Sequence, residues 1–197
     1  MERGNGVKPL ILASSSPRRR DLLRQIGLDC TVMPADVDER LLPGEAPEHY
    51  ALRVALDKAR ASAARSNNGI IIGADTIVVL SETILGKPAD SADAARMLTM
   101  LSGRMHRVVT GLAVIDASTA EQSTALAVTR VWFRELSPEI IASYVATGEP
   151  LDKAGAYGIQ ERGALFVERI DGCYFNVVGL PLFLLADLLR DMDMTII

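Results

Sequence analysis

The stretch Pro9-Leu10-Ile11-Leu12-Ala13-Ser14-Ser15-Ser16-Pro17-Arg18-Arg19-Arg20-Asp21-Leu22-Leu23-Arg24-Gln25-Ile26-Gly27 reads as a strand handed directly to a helix. Leu10 to Ala13 form a short apolar run. Ser16 followed by Pro17 is helix-start grammar, because a serine hydroxyl can satisfy free N–H groups and proline fits the first helical position. Leu22, Leu23 and Ile26 supply an apolar stripe, and Gly27 is a natural stop. The helix N-terminus already carries about half a positive charge, so three arginines there oppose helix stability unless an anion sits among them. Free N–H groups, serine hydroxyls and guanidinium forks together suit a phosphate.

Working outward, Cys30 to Val37 reads as a strand entering an acidic, proline-bounded loop, Asp36 to Pro47. Glu48 to about Arg65 carries an alanine-rich helical pattern that Ser66-Asn67-Asn68-Gly69 ends. Ile70 to Leu80 is a strongly apolar strand interrupted at Gly73-Ala74-Asp75-Thr76, followed by a turn at Ser81-Glu82-Thr83 and a loop at Gly86-Lys87-Pro88. A helix is expected over Ser91–Leu101, strands over 106–115 and 124–135, and a helix from Ser137-Pro138 to about Thr147. Leu151 to Gly163 is a glycine-spaced loop. A hairpin is expected with strands near 164–170 and 173–178 joined by Asp171-Gly172, and Leu182 to Met192 is the closing helix. Helices alternate with strands early and strands neighbour strands later, which gives an α/β fold with a mixed sheet.

The 197 residues are 49% hydrophobic, enough for one core or one core with a small lobe, and are read as a single domain over 1–197. A net charge of −4 argues against a nucleic-acid partner, since the cations are clustered and not in excess. Two cysteines far apart give no disulfide framework, and two histidines argue against a histidine-based metal site, so any metal would be hard and oxygen-liganded. Residues 1–8 read as a flexible polar lead. The apolar run after them is too short for a signal peptide, and no stretch approaches the ~18 apolar residues of a membrane span. A cytoplasmic protein with no membrane partner is expected.

Asp75 stands in an apolar strand, where an unpaired carboxylate is costly, and Gly73 and Ala74 beside it allow close approach to the backbone. Lys58 falls on the same helical stripe as Ala51, Val54 and Ala55, which is otherwise the buried one. Taken singly, Lys58 also reads as a lysine snorkelling from the core edge, and Lys87 as a solvated cation. The acidic run Asp36-Val37-Asp38-Glu39 offers oxygens to Mg²⁺ or Mn²⁺, although such runs are commonly only solvated. In the loop Leu151-Asp152-Lys153-Ala154-Gly155-Ala156-Tyr157-Gly158-Ile159-Gln160, the glycines permit tight turns, Tyr157 offers a stacking face and Gln160 an amide suited to a nucleobase edge. Composition alone equally allows an ordinary surface loop.

Five segments in order, Ser14-Ser15-Ser16-Pro17-Arg18-Arg19, Gly73-Ala74-Asp75-Thr76, Gly86-Lys87-Pro88, Asp152 to Gln160 and Asn176-Val177-Val178-Gly179-Leu180-Pro181, resemble the Maf family of nucleoside triphosphate pyrophosphatases. The resemblance runs from about Leu10 to the final helix. It implies an elongated bent mixed sheet flanked by helices, two lobes around a cleft, and a relation to inosine triphosphate pyrophosphatases. It implies cleavage of a nucleoside triphosphate to monophosphate and pyrophosphate with a divalent metal cation, Mg²⁺ or Mn²⁺. The family's catalytic aspartate falls on Asp75, its metal-proximal glutamate on Glu39, and its phosphate-binding positions on Ser14, Ser16, Arg18 and Arg19. Its lysines fall on Lys58 and Lys87, and its specificity positions on Arg18, Thr76 and Gln160. The 152–160 loop is similar to that of the dTTP/UTP subgroup. Arg20 is an added arginine and Ser15 stands for a smaller residue. A homodimer is an open expectation. A nucleotide-binding regulator of cell division or septum formation, with little turnover, is the alternative reading.

Overall fold

The computed structural model describes residues 8–197. The first seven residues of the expected lead lie outside the described residues; its last, Lys8, is paired with Asp116. The elements are β1 (Leu10–Leu12), α1 (Pro17–Gln25), β2 (Thr31–Val32), α2 (Pro47–Ala63), β3 (Ile70–Leu80), β4 (Thr83–Leu85), α3 (Ser91–Leu101), β5 (Met105–Asp116), β6 (Gln122–Phe133), α4 (Pro138–Val145), β7 (Val167–Asp171), α5 (Tyr174–Val178) and α6 (Leu182–Asp191). One seven-stranded sheet runs β2-β1-β3-β5-β6-β7, with β4 also on β3. The pairs β1–β2 and β1–β3 are parallel and the rest antiparallel, so the sheet is mixed, as expected.

Strand β3 sets the architecture. On one side it pairs with β5 without interruption from Ile70 to Val79. On the other side β1 pairs with Ile70–Ile72 and β4 pairs with Val78–Leu80. Among the described residues no strand covers that side of Gly73 to Ile77. The expected interruption at Gly73-Ala74-Asp75-Thr76 is therefore corrected: the strand is continuous, and the break lies between its neighbours. A cleft opens at that gap.

Two apolar cores share one face of the sheet and form two lobes. The first joins β1, α1 and α6 through Leu12, Leu23, Ile72, Leu112, Leu185 and Leu189. The second joins β4, α3 and α4 through Val78, Leu85, Leu98, Leu101, Phe133 and Ile141. The opposite face is covered by α2, whose Ala51, Ala55 and Ala59 meet Ile71, Ile77, Val109 and Ala113. Helix and sheet approach very closely there. A Cβ on Gly73 would lie 2.2 Å from the Ala55 carbonyl oxygen, and one on Gly111 2.2 Å from that of Ala51. The close approach read from Gly73 is real, and the approaching group is helix α2.

Three further expectations are corrected. The strand expected from Cys30 shrinks to Thr31–Val32. The second strand of the C-terminal hairpin is instead helix α5, where Asn176 is buried and donates to the Val108 carbonyl and to Thr129 Oγ1, both at 3.0 Å, and Gly179 ends the helix at φ 119. The glycine-spaced loop is a series of short 3-10 turns at Glu149–Asp152, Ala154–Ala156 and Arg162–Phe166.

Candidate active site

The cleft at the β3 gap encloses about 520 Å³, and Ser14, Ser16, Arg18, Arg19, Glu39, Lys58, Asp75, Thr76, Lys87 and Gln160 all line it. The fold thus brings together these ten residues from six separate segments, whereas Asp36, Asp38 and Arg20 stay outside the lining and Asp38 is paired with Arg40.

Alternation along β3 splits the site into two halves. Asp75 projects on the α2 face, where Lys58 Nζ donates to its Oδ1 at 2.8 Å. Both side chains are largely buried, with exposures of 12% and 10%. Lys58 reaches Asp75 because the Gly73 and Gly111 contacts seat α2 low on the sheet. The same ammonium lies 2.8 Å from Glu39 Oε1. Glu39 belongs to the acidic loop, and α2 holds that loop: Tyr50 donates to the Glu39 carbonyl at 2.8 Å, and Arg53 donates to Glu45 Oε1 at 2.6 Å and to the Arg40 carbonyl at 3.0 Å. Burial, together with the charges of Asp75 and Glu39, pushes the Tyr50 hydroxyl up to about 12, so it stays a donor.

Thr76 projects to the other face. Its Oγ1 accepts from Arg19 Nη2 at 3.0 Å and lies 2.9 Å from Thr110 Oγ1. Arg19 also donates Nε to the Gly179 carbonyl at 2.8 Å and Nη1 to Ser14 Oγ at 2.9 Å. Three of its five N–H groups are thereby fixed, leaving two for a ligand. Burial pushes the Arg19 guanidinium down from its ordinary value, with Asp75 acting in the opposite sense. The Asn176–Pro181 segment thus has a physical role, since its Gly179 carbonyl aims Arg19.

Ser16 does not cap α1 with its side chain; its backbone N–H instead donates to Ser14 Oγ at 3.3 Å. No acidic residue occupies the first turn of α1, so the arginines there have no local counter-charge. Arg18 Nη1 donates instead to Asp152 Oδ2 at 2.9 Å, across the mouth of the cleft. Lys87 is exposed on its loop, and Gly155 N–H donates to the Gly86 carbonyl at 3.0 Å, joining that loop to the 152–160 segment. Gln160 is an exposed part of the cleft wall. Tyr157 differs from its expected role as a stacking face. It is only 5% exposed, packs edge-on to Phe133 at 4.7 Å, and its hydroxyl lies 2.8 Å from His106 Nε2. An amphipathic ring finds both an aromatic neighbour and a polar partner in the core, and so anchors the loop.

Residues without an assigned role from the sequence are Tyr50, Asp152 and Lys153. Lys153 is 7% exposed, an unusual burial for a lysine, and donates to the Glu149 carbonyl at 2.6 Å and to Asp152 Oδ1 at 2.8 Å. An adjacent Asp-Lys pair inside a glycine-spaced loop is the only signal in the sequence that pointed to it.

Among the described residues no group of three or more His, Cys, Asp or Glu side chains could hold a metal by itself. Glu39 and Asp75 nonetheless converge on a single cationic point, the Lys58 ammonium. Two hard carboxylates fit a divalent cation of the Mg²⁺ type, which takes one or two carboxylates and completes its shell with substrate phosphates and water.

A family model described as Maf-like protein matches residues 9–192. The chain is 53% identical to the dTTP/UTP pyrophosphatase of Syntrophomonas wolfei over 87% of this chain and 90% of that protein. It is 53% identical to the dTTP/UTP pyrophosphatase of Moorella thermoacetica over 93% and 94% of the two chains. For that of Geobacter sulfurreducens the identity is 51% over 96% and 97%. Among solved structures, the Staphylococcus aureus Ham1 protein aligns with a TM-score of 0.43 and 16% identity over 64% of this chain and 72% of that one. With a family model spanning nearly the whole chain and relatives at about half identity throughout, this chain belongs to the Maf-like protein family.

Proposed function

We propose that the chain hydrolyses nucleoside triphosphates, dTTP and UTP in preference, to the monophosphate and pyrophosphate. The observation that carries this reading is the cleft itself: a buried carboxylate paired to a lysine faces a set of cations at a helix N-terminus. A triphosphate supplies the anion that Arg18 and Arg19, which line the cleft, lack in the first turn of their own helix. The names of the relatives support the same substrate class.

In this mechanism Asp75 takes a proton from water, whose oxygen bonds to the α-phosphorus as the bond to the bridging oxygen breaks and pyrophosphate leaves. Lys58 fixes the Asp75 carboxylate. Arg18, Arg19 and Lys87 neutralise charge on the phosphates, while Ser14 and Ser16 line the same anion site. Glu39 and Asp75 would hold a divalent cation together with triphosphate oxygens, and that cation supplies charge neutralisation at the scissile linkage. Positioning and electrostatics supply most of the acceleration. Thr76 and Gln160 both line the cleft, and a base that covers polar groups there without pairing with them costs about 1–3 kcal/mol for each group stranded. Among the described residues no helix is long and apolar enough to cross a membrane, and a cytoplasmic location suits a nucleotide-cleaving domain.

The test is kcat/KM for pyrophosphate release from dTTP, UTP, ATP, GTP and 7-methyl-GTP, with Mg²⁺ and with Mn²⁺. We expect the two pyrimidine nucleotides to lead. Equal values for purines would remove the base assignment, and nucleotide binding without pyrophosphate release would replace the enzyme by a nucleotide-binding regulator.

A further inference from the structure

Asp152 is out of place in a cleft that is to take a polyanion. Its carboxylate lines the cavity and is 57% exposed, so it repels the phosphates that Arg18 and Lys87 attract. Its neighbours account for it. Oδ2 accepts from Arg18 Nη1 at 2.9 Å, and Oδ1 accepts from Lys153 Nζ at 2.8 Å. Lys153 is itself fixed, since its Nζ donates to the Glu149 carbonyl at 2.6 Å and its stem packs so tightly beneath Gly158 that a Cβ there would lie 2.8 Å from Cε. Asp152 is therefore a short rigid arm, held at one end by a buried ammonium and gripping at the other a guanidinium 134 residues away in sequence.

Arg18 needs such an arm. It is a long side chain at the end of the helix where the dipole disfavours a cation, and no acidic residue shares its first turn. Among the described residues Asp152 is the only hydrogen-bond partner of the Arg18 side chain. A free arginine loses rotamer entropy on gripping a ligand, whereas one already fixed does not. Only Nη1 is engaged, so the other N–H groups of the fork remain for phosphate.

We propose that Asp152 is a positioning residue that holds Arg18 in its ligand-gripping orientation across the cleft, joining the phosphate end of the site to the base-facing loop. The proposal rests on the pyrophosphatase reading above, with Arg18 on the phosphates.

The experiment compares Asp152→Ala, Asp152→Glu, Arg18→Ala and the double variant Arg18→Ala/Asp152→Ala, reading kcat and KM for dTTP and the thermal midpoint. Loss of the arm raises KM about tenfold in Asp152→Ala, equivalent to about 1.4 kcal/mol, with kcat changed by less than about threefold. Asp152→Glu recovers most of the loss. In the Arg18→Ala background the Asp152→Ala effect disappears, an outcome that a merely structural role would not produce. An equal KM increase in both backgrounds, no change, or a lower KM would each overturn the proposal. A wild-type protein that cleaves no nucleotide overturns the pyrophosphatase reading instead. The affinity of the same variants for a non-hydrolysable triphosphate then decides the role of Asp152 separately, by the same pattern of loss and non-additivity.

Discussion

Gly111→Ala tests whether the seating of α2 on the sheet sets the Lys58–Asp75 pair. Gly111 stands opposite Asp75 in the β3–β5 ladder, and its missing side chain faces Ala51 one helix layer away. An added Cβ would lie 2.2 Å from the Ala51 carbonyl oxygen and 2.4 Å from its carbonyl carbon. Real Cβ contacts essentially never fall below 3.0 Å, so α2 must withdraw by about 0.8 Å. The obstacle is backbone, and no change of rotamer relieves it. Overpacking of this kind costs roughly 1–3 kcal/mol. At about 2–4 °C per kcal/mol for a domain of this size, the thermal midpoint falls by roughly 4–8 °C for the middle of that range. Lys58 lies two helical turns beyond Ala51, so the same withdrawal stretches its 2.8 Å bond to Asp75. A misplacement near 1 Å at a reacting constellation costs up to about a hundredfold, and a loss of about ten- to a hundredfold in kcat is expected. Calorimetry and pyrophosphate release measure the two effects, with Gly86→Ala as the stability control because its Cβ meets nothing within 4 Å. A Gly111→Ala protein with unchanged midpoint and unchanged kcat would refute the claim that helix seating positions the site.

Asp75→Asn keeps the shape of the side chain and an acceptor for Lys58 but removes the base; kcat for pyrophosphate release should fall at least about a hundredfold with the fold intact by circular dichroism, and wild-type turnover would sink the mechanism. His106 gives a pH signature. Burial pushes its imidazole down to about 4, so between its ordinary value and 4 the unfolded chain binds more protons than the folded one. Stability is therefore full at neutral pH and falls as pH drops through that window, by up to about 3 kcal/mol. The carboxylates with strongly lowered values, Asp38, Glu45 and Asp116 at about 2, add their losses only lower down, below about pH 4.5. In His106→Gln the decline in thermal midpoint between pH 6.5 and 4.5 should flatten, and a slope equal to wild type would assign it elsewhere.

What the sequence disclosed follows from how local each signal is. Helices α2, α3 and α6 are written in apolar spacing and in the residues that flank them, and their observed limits lie within about two residues of the expected ones. Among the site residues Arg18, Arg19 and Asp75 stand out singly, whereas Glu39, Lys58, Lys87 and Gln160 stand out only through the five motifs taken in order. Their partnerships do not stand out, because those are made by topology. Lys58 meets Asp75 only once α2 lies across β3, and Arg18 meets Asp152 only after 134 residues of chain have closed the second lobe. Tyr174-Phe175-Asn176-Val177-Val178 shows the opposite case. Its aromatic and β-branched residues favour a strand locally, yet buried hydrogen bonds from Asn176 and the left-handed Gly179 impose a helical turn. The tetrad Gly73-Ala74-Asp75-Thr76 reads locally as punctuation, whereas the interruption belongs to the neighbours of β3 on the sheet.

The two walls of the cleft differ in tenacity. Asp75 sits in the middle of a strand buried nearly throughout, locked by β5 along its length and roofed by α2. Its amide should exchange with solvent only when the whole molecule opens. The wall bearing Gln160 is a chain of short 3-10 turns held by side chains, with the amide itself facing solvent. Local opening begins in such segments, at free energies well below the global value. On the proposed reading, with the base at the Gln160 wall and cleavage at Asp75, mild heat or dilute urea loosens discrimination among bases first, and a softened molecule becomes a less selective enzyme before it becomes an inactive one.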